Sequence, residues 1–352
     1  MYKDRVKEKL LSLQDKSNIY VLGIESSCDE TSIAVIRNGR EVLSNVISSQ
    51  IDIHKRFGGV VPEVASRNHV EAITNVLNEA LEQAHVELSQ IDAVAVTYGA
   101  GLIGALMVGV SYAKALAYSL NIPLVKVNHI KGHLAANYIA HQDLQPPFIG
   151  LIVSGGHTAI VRVDDYLHQT HIGSTLDDAI GEAYDKVARV LGLEYPGGPK
   201  IDKLAQEGNN TINFCHDVLK KTYDVSYSGL KTAVINYVHK LRQNNQELNI
   251  PDICCSFQTQ AVDGLVEKAI RACKAYNLKK ICVAGGVAAN SYLRAKVEEL
   301  GKKERIDVFI PPIKLCTDNA AMIGCMGYYN LINGEGISDL DLSVCPNLKL
   351  ST

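Results

Sequence analysis

The sequence predicts an α/β protein built from two similar lobes, each a sheet covered by helices. Three observations support this fold class. The chain has 352 residues, 47% of them hydrophobic and 21% charged, which suits about two domains that each have a core. One order of strands and helices occurs twice along the chain. Glycine-rich turns follow the strands at matching places in both copies.

The first copy of this pattern begins near Ile19. Three strands are predicted in succession, with the sequences IYVLGIE, TSIAVI and EVLSNVIS. Asn38-Gly39, between the second and the third, is typical of a tight hairpin turn. A long amphipathic helix follows, because apolar residues recur at spacings of three and four from Val70 to Ala84. The buried strand DAVAVT, a glycine turn, an apolar helix and the strand PLVKV complete the copy.

The second copy begins near Phe148 and keeps the same order. Its first three strands are FIGLIVS, HTAIVRV and YLHQTHIGS, and its helices include an apolar stripe from Phe257 to Tyr276. The strand KKICVA then runs into a glycine pair, and another helix and the strand DVFI follow. Two copies in register predict duplicated lobes, and clefts between such domains are where ligands usually bind. We therefore expect a ligand cleft between the lobes.

The predicted domain bounds follow from these two copies. Residues 1–18 are predicted to form an N-terminal extension, 19–127 lobe 1 and 128–318 lobe 2. The break between the lobes is expected within residues 128–147, where Pro146-Pro147 interrupts the chain. The C-terminal helix, about 319–352, is expected to pack back on lobe 1. The extension mixes basic and acidic residues without an apolar centre, so it is interpreted as a short exposed helix and not as a targeting peptide.

Composition also limits the location and the partners of the protein. No apolar run approaches the ~20 residues of a membrane span, so no membrane association is expected. Nine cysteines without a C-x-x-C pair indicate reduced thiols. Both observations favour a cytoplasmic protein. The formal net charge is −3, so a nucleic acid would have to bind a local basic patch.

Four turns place small residues beside strand ends, where a backbone can approach a phosphate closely. Their matching places predict a phosphate held between two hairpins, as in the actin-like (ASKHA, RNase H-like) superfamily that includes sugar kinases. The P-loop pattern G-x-x-x-x-G-K-[ST] is absent, which excludes a P-loop enzyme. A small-molecule kinase of the actin-like fold is one hypothesis. The turns are Glu25 to Thr31, Gly99 to Gly104, Ser154 to Thr158 and Gly285 to Asn290.

The polar stretch LDDAIGEAYDKVARVLGLEYPGGPKID allows two interpretations. Its acidic residues share roughly one face of a predicted helix, which is typical of a solvated helix ended by glycine. Alternatively, Asp185 and Asp202 lie beside a ribose or an amine, with the Gly197-Gly198 backbone packed against a flat base. The residues alone leave both interpretations open.

His129 and His133 are four residues apart, so a helix would place both imidazoles on one face. A solvated pair is at least as common as a metal site. The protease motif H-E-x-x-H needs a glutamate where this chain has Ile130, so a zinc protease is disfavoured. Asp318 is the candidate third ligand. Two imidazoles and a carboxylate leave coordination positions open and suit zinc or iron. His141 is interpreted as a surface residue.

Nine motifs together resemble one family from Ile19 to Leu350. This is the universal tRNA threonylcarbamoyltransferase family of the bacterial TsaD type, the catalytic subunit of tRNA threonylcarbamoyladenosine synthase, formerly called a glycoprotease. The motifs are G-I-E-S-S-C-D-E-T, G-G-V-V-P-E-V-A-S-R-N-H, N-H-I-K-G-H, V-S-G-G-H-T, G-E-A-Y-D-K, Y-P-G-G-P, Y-S-G-L-K-T, A-G-G-V-A-A-N and C-T-D-N-A-A-M-I-G.

The resemblance implies two actin-like lobes and a transfer reaction on tRNA. The threonylcarbamoyl group would pass from threonylcarbamoyl-AMP to the exocyclic amine of the adenosine immediately 3′ of the anticodon, in tRNAs that read codons beginning with adenine. It also implies one iron or zinc ion per chain, with ATP or ADP as further occupants of the cleft. The implied metal ligands are His129, His133 and Asp318. The implied adenylate-binding residues are Ile152, Val153, Ser154, Gly155, Gly156, Asp185, Gly198, Asp202 and Asn290.

The family further implies four partners: tRNA, the paralogous subunit TsaB, the small ATPase TsaE and a separate synthase that makes the adenylate. Asp29 and Glu30 are candidates for positioning the amine or taking its proton, and turn formation is their alternative role. Lysines 220, 221 and 231, with Arg67, are the predicted tRNA patch. A kinase or a non-catalytic scaffold of the same fold would not need the two histidines and the distant aspartate.

Overall fold

The computed structural model describes residues 2–214 and 219–350. The chain forms two compact units. The first runs to Leu144 and resumes at Thr317, and the second spans Gln145–Cys316. Cysteines 28, 254, 255, 273, 282, 316, 325 and 345 are free thiols. Cys215 lies outside the described residues.

The first unit contains one sheet and the helices that pack on it. Its elements are α1 (Tyr2–Leu13), β1 (Tyr20–Glu25), β2 (Glu30–Arg37), β3 (Glu41–Ser49), α2 (Ile51–His54), α3 (Pro62–Ala84), β4 (Ala93–Gly99), α4 (Ile103–Leu120), β5 (Leu124–Asn128) and α5 (His129–Ala140). The chain returns to this unit after the second one, with α11 (Ala320–Ile332) and β11 (Ile337–Ser338).

The second unit repeats the arrangement. Its elements are β6 (Phe148–Val153), β7 (Thr158–Val163), β8 (Gln169–Ser174), α6 (Ile180–Leu191), α7 (Gly197–Ala205), α8 (Ser228–Gln243), α9 (Ile250–Ala275), β9 (Lys280–Ala284), α10 (Ser291–Glu304) and β10 (Asp307–Phe309). Its core lies between the sheet and α6, α8 and α9, and includes Tyr184, Val234, Phe257 and Val283.

The order of strands shows the duplication directly. The first sheet reads β11-β5-β4-β1-β2-β3 and the second reads β10-β9-β6-β7-β8. Apart from the short β11, the two orders match strand for strand. In both sheets the three meandering strands pair antiparallel. A fourth strand pairs parallel with the first (β4 with β1, β9 with β6), and a fifth pairs parallel with the fourth. The short β11 adds an antiparallel edge beside β5. The predicted duplicated α/β fold is therefore confirmed.

Helix α11 packs on the first sheet through small residues. A Cβ atom on Gly23 of β1 would lie 2.3 Å from the carbonyl oxygen of Ala320, and one on Gly327 would lie 2.3 Å from Ala95 Cβ. Glycine is needed at both places, because any side chain would push the helix away from the strands. The helix is consequently buried on nearly every side.

The structure corrects the predicted domain bounds. Helix α5, placed in lobe 2, belongs to the first unit, and that unit resumes at Thr317 instead of 319. The reason is packing, since α5 is largely buried and lies against α11. A Cβ atom on Gly132 would lie 2.7 Å from Ile323 Cδ1. The boundary therefore falls after residue 144 and not at 127, which is inside the stretch from 128 to 147 where the break was expected.

The N-terminal extension is docked on the first unit, so its interpretation as an exposed helix is corrected. Tyr2 and Val6 are buried, and the Tyr2 hydroxyl donates a hydrogen bond of 2.8 Å to the carbonyl of Ile122. Asp92, whose side chain has no exposed surface, pairs with Lys9 at 2.8 Å and with Lys16 at 2.6 Å. The extension thus supplies both cations that neutralise a buried carboxylate.

Removal of these two cations should destabilise the first unit. We expect the double variant Lys9→Met/Lys16→Met to lose about 3 kcal/mol of unfolding free energy, because an uncompensated buried charge is costly. Urea denaturation measures this loss. The exposed Lys7→Met is the matched control and should unfold as the wild type does. Adding Asp92→Asn to the double variant should restore part of the loss, and failure to restore any would contradict the role of the buried charge.

Helix α4 is long and apolar enough to cross a membrane by length and composition alone, which the sequence analysis overlooked. Its residues Ala105, Leu106, Val110, Ala113 and Ala117 are buried in the first unit. These residues form one face of the helix, and the opposite face, with Ile103 and Met107, is exposed.

Candidate active site

Three predicted ligands meet where α5 and α11 begin. Asn128 caps α5 and Asn319 caps α11, and each side chain accepts a hydrogen bond from a backbone N–H of the first turn. His129 is the first residue of α5, and Asp318 directly precedes the cap of α11. His133 follows one helical turn later on the same face. Local capping chemistry therefore fixes the two helix ends that carry the ligands.

The ligand atoms lie close enough to share one ion. Asp318 Oδ1 is 3.5 Å from His129 Nε2 and 3.3 Å from His133 Nε2. Ligands about 2.1 Å from a tetrahedral zinc ion stand about 3.4 Å apart, so these separations match a metal's coordination edges. Both ring nitrogens of His133 are buried and have no hydrogen-bond partner within residues 2–214 and 219–350. This cluster is the group of three metal-ligating residues that the described chain brings together.

All three ligands belong to the first unit. The predicted bounds put all three in lobe 2, because no local pattern shows that α5 and α11 belong to the same unit. The donor set, two imidazoles and a carboxylate, suits zinc or iron and leaves coordination positions for a substrate. The residues present therefore fit the ion that the family implies.

Buried charge around His129 makes the cluster attractive to a cation. Burial by itself would lower the pKa of His129, but the nearby carboxylates of Asp318 and Glu25 raise it to about 9. Burial by itself would raise the pKa of Glu25, but the partner His129 keeps it below its ordinary value. No role is predicted for Glu25 from the sequence, where it is only an acidic residue at the end of an otherwise apolar strand.

Asp29 and Glu30, the candidate catalytic acids, lie at the start of β2. Burial, and then the charges of Asp318 and Asp29, raise the pKa of Glu30 to about 10. Glu30 therefore favours its protonated form in the metal-free protein. Glu30 therefore lies within electrostatic reach of both Asp318 and Asp29.

A buried histidine on α3 holds the backbone of this turn. His69 Nε2 is 2.9 Å from the carbonyl oxygen of Cys28, and its Nδ1 is 2.7 Å from the hydroxyl of Thr31. Gln50 donates its N–H to the carbonyl of Asp29 at 3.0 Å. His69 belongs to one of the nine motifs, but no role is predicted for it from the sequence. The sequence shows it only as a polar residue on the apolar face of an amphipathic helix.

In the second unit, the turn from Ser154 to Gly156 follows β6. Ser154 donates its N–H to the carbonyl of His157 at 2.8 Å, and its hydroxyl accepts from the N–H of His157 at 3.1 Å. Cβ atoms on Gly155 and Gly156 would meet no atom within 4 Å, so this backbone faces open space. Ile152 and Val153 are buried residues of β6. A ligand beside this turn could therefore contact their backbone atoms but not their side chains.

Two neighbouring elements press against this turn. The N–H of Gly181, near the start of α6, donates to the carbonyl of Ser154 at 3.2 Å. A Cβ atom on Gly181 would lie 2.8 Å from Gly155 Cα, and one on Gly285 would lie 2.4 Å from the carbonyl oxygen of Val153. The glycines quoted in the sequence analysis thus allow close backbone approach around one turn.

The other residues predicted to bind the adenylate are held by hydrogen bonds within the second unit. Asp185 accepts from the N–H of Gly197 at 2.8 Å, which fixes the turn that carries Gly198. Asp202 accepts from both the N–H and the hydroxyl of Ser291. The adjacent Asn290 caps α10, and its amide donates to Gln258 at 2.7 Å. Tyr184, next to Asp185 on α6, bonds the same Gln258 oxygen at 3.3 Å.

The structure changes the interpretation of two charged positions. Helix α6 begins at Ile180, so Asp178 precedes it instead of lying on its face. Asp178 forms ion pairs with Lys186 and with Lys231. Lys231 is therefore neutralised and contributes little to a tRNA patch. Lys220, Lys221 and Arg67 are exposed and stay as candidates.

These features define a class of protein: two actin-like α/β units, with a candidate metal centre in the first and glycine turns in the second. Solved structures show the same fold at low identity. HypF of T. kodakarensis matches with a TM-score of 0.63 and 14% identity over 91% of this chain and 48% of its own. The (R)-2-hydroxyglutaryl-CoA dehydratase component A of Acidaminococcus fermentans matches with a TM-score of 0.52 and 14% identity, over 89% and 99% of the two chains.

The family is decided by closer sequence relatives. The TsaD family, described as tRNA N6-adenosine threonylcarbamoyltransferase, matches residues 41–325. The enzyme of that name from Clostridioides difficile strain 630 is 58% identical over 95% of this chain and 99% of its own. The one from Clostridium novyi strain NT is 57% identical over 95% and 98%. The chain belongs to the TsaD family of tRNA N6-adenosine threonylcarbamoyltransferases. The family expected from the nine motifs is confirmed, and the small-molecule kinase hypothesis is not supported.

Proposed function

We propose that this chain transfers a threonylcarbamoyl group to the exocyclic amine of an adenosine in tRNA. One observation carries the proposal: the cluster of His129, His133 and Asp318, in a chain 58% identical to a relative with that activity in its name. A kinase would have no use for this ligand set. The proposed acceptor is the adenosine immediately 3′ of the anticodon, in tRNAs that read codons beginning with adenine.

The proposed donor is threonylcarbamoyl-AMP, and its chemistry needs no protein nucleophile. The amine nitrogen attacks the carbamoyl carbon, a C–N bond forms, and the bond from that carbon to the phosphate oxygen breaks. AMP leaves with the electron pair of that bond, and one proton leaves the amine. Asp29 and Glu30 are the candidates that position the amine or accept its proton.

His129, His133 and Asp318 would hold an iron or zinc ion in the first unit. Such an ion, when bound, polarises a carbonyl oxygen as a Lewis acid. The side chains of His133 and His129 are 1% and 9% exposed, whereas that of Asp318 is 22% exposed. Solvent or a substrate therefore has most access to the cluster at Asp318.

The second unit would hold the adenylate half of the donor. The open backbone of Gly155 and Gly156 offers N–H groups to a phosphate. Asp185 accepts from the N–H of Gly197, and Asp202 accepts from Ser291 through both carboxylate oxygens. A carboxylate oxygen can accept more than one hydrogen bond, and we propose that both residues also accept from the ribose hydroxyls. Gly198, where a Cβ would meet no atom within 4 Å, would lie against the base.

Loss and restoration of the modified nucleoside test this function. Depleting the protein from cells should remove threonylcarbamoyladenosine from tRNA, as measured by mass spectrometry of the nucleosides. The purified chain, supplied with threonylcarbamoyl-AMP, its partners and unmodified tRNA, should restore it. Undiminished modification after depletion would exclude the proposal. So would a reconstituted reaction that leaves the tRNA unmodified while a relative's enzyme succeeds under the same conditions.

The proposed partners are the paralogous subunit TsaB, the ATPase TsaE and a separate synthase for the adenylate. A cytoplasmic location is proposed with them, because the proposed substrate is a tRNA.

We further propose that TsaB docks on α3 and α4. These helices cross tightly, since a Cβ on Gly104 would lie 2.4 Å from the Ser66 hydroxyl. Within one helical turn of that crossing, Val70 is 63%, Ile103 60% and Met107 53% exposed. Large apolar side chains exposed together are typical of protein interfaces.

Charge on this surface should prevent the association. We expect Val70→Glu/Met107→Glu to lose binding to TsaB by at least about tenfold, because two apolar contacts of about 1 kcal/mol or more are replaced by buried charges. Isothermal titration calorimetry with purified TsaB measures the affinity. Leu176→Glu, at a residue 64% exposed in the second unit, is the matched control and should bind normally. Equal affinity of the double variant and the wild type would exclude this surface.

A further inference from the structure

Glu25 ends β1 with no exposed surface, and three donors surround its carboxylate. Its Oε1 accepts from the N–H of Ser27. Its Oε2 accepts from the hydroxyl of Thr97 at 2.7 Å and stands 3.0 Å from His129 Nδ1. An ionised carboxylate only accepts hydrogen bonds, so the Nδ1 atom that faces it has to carry a proton.

The two candidate histidine ligands differ in this respect. His129 Nδ1 faces Glu25, whereas neither nitrogen of His133 has a hydrogen-bond partner within the described residues. His129 is also the first residue of α5, where less of the helix surrounds a side chain than at His133. A ring at the helix end therefore needs an outside group to set its orientation, and Glu25 is placed to supply it.

We propose that Glu25 is a positioning residue, which fixes the proton of His129 on Nδ1 and thereby leaves Nε2 free to bind the metal. The inference rests on the metal centre of the proposed function. A histidine ligand commonly donates its other ring N–H to a carboxylate, which sets the tautomer and raises the basicity of the ligand nitrogen. Here the Nε2 atom so exposed is the one that lies 3.5 Å from Asp318.

Replacing Glu25 by glutamine tests the proposal because the amide cannot satisfy the same three donors. Two carboxylate oxygens now accept from Ser27, Thr97 and His129. In Glu25→Gln one of the two oxygens is replaced by an NH₂ group. At either position this group faces a hydrogen-bond donor, which is Ser27 at one position and Thr97 with His129 at the other. If it faces His129, Nδ1 must accept, and the proton moves to Nε2, where it blocks the metal.

The experiment titrates Zn²⁺ into metal-free protein against a competing chelator. We expect Glu25→Gln to bind Zn²⁺ about 10- to 100-fold more weakly than the wild type. Thr97→Val is the matched control, because it removes one buried donor to the same carboxylate and leaves His129 its acceptor. The Zn²⁺ affinity of Thr97→Val should stay within about threefold of the wild-type value. This change is much smaller than the one expected when a histidine ligand loses its carboxylate partner. Thermal unfolding of each variant shows whether it is folded.

Ser27 is the competing candidate for the orienting role, since its hydroxyl oxygen is 3.2 Å from the same Nδ1. Ser27→Ala should bind Zn²⁺ as Thr97→Val does. If Ser27→Ala loses affinity and Glu25→Gln keeps it, Glu25 does not set the tautomer. A Glu25→Gln protein that is less stable but keeps its Zn²⁺ affinity also overturns the proposal, because only a structural role would then remain.

Nitrogen NMR of the wild type gives a test that no variant can confound. In the Zn²⁺-loaded protein labelled with ¹⁵N-histidine, His129 should show a protonated Nδ1, with a proton protected from exchange, and a metal-bound Nε2. A metal-bound Nδ1 or an unprotonated Nδ1 would overturn the proposal. Neither readout uses tRNA or the donor, so the outcome is independent of whether the proposed transfer activity is found.

Discussion

His133→Ala is expected to remove bound metal from the protein and to abolish threonylcarbamoyl transfer. His129→Ala and Asp318→Asn should do the same. In the proposed site three side chains would hold the ion, so losing one would remove about a third of its protein contacts and most of its affinity. The Lewis-acid contribution of several kcal/mol then disappears with the ion, which corresponds to a rate loss of about a thousandfold or more.

Elemental analysis and a single-turnover assay with threonylcarbamoyl-AMP measure these losses. His168→Ala is the control, because this side chain is 75% exposed on a turn of the second unit, and it should keep both metal and rate. The fold should survive His133→Ala, which leaves the capping residue Asn128 intact. His129→Ala also removes the partner of the buried Glu25, so its thermal unfolding is compared with that of His133→Ala. Variants that keep stoichiometric metal would contradict the site. Variants that lose metal and still transfer at the wild-type rate would contradict its role.

Gly181→Ala should damage the donor site and leave the metal centre unaffected. The added Cβ would lie 2.8 Å from both Gly155 Cα and the carbonyl oxygen of Ser154. These are backbone atoms, so the turn itself has to move. Overpacking of this kind costs about 1–3 kcal/mol of stability. We expect a larger loss in function, because a shift of about 1 Å in a binding group can reduce a rate by about a hundredfold.

A donor titration in the single-turnover assay should show weaker binding of threonylcarbamoyl-AMP to Gly181→Ala, with normal metal content. Gly229→Ala is the matched control. Gly229 lies in the first turn of α8, and a Cβ there would meet no atom within 4 Å, so the variant should bind the donor normally. Donor binding by Gly181→Ala that equals the control would show that the turn from Ser154 to Gly156 does not hold the adenylate.

Much of the fold could be predicted because both copies of the pattern carry local signals. Periodic apolar residues mark α3 and α9, and Asn38-Gly39 marks a hairpin, with positive φ angles of 49° and 79°. These signals depend on neighbours within a few residues, so a single sequence displays them. The i,i+4 spacing of His129 and His133 belongs to the same group. It predicts a shared helix face, and the rings do lie 4.6 Å apart.

The sequence by itself determined the order of the elements, the duplicated fold, the family and the three candidate metal ligands. Only the tertiary structure decided that α5 and α11 share one unit, which places all three ligands together on the first sheet. Only the tertiary structure decided that Glu25, 104 residues from His129, faces its Nδ1 atom. The physical reason is that spacing along the chain reports on one element at a time. Packing between buried helices and contacts between distant residues depend on side-chain shape in three dimensions, which no local pattern records.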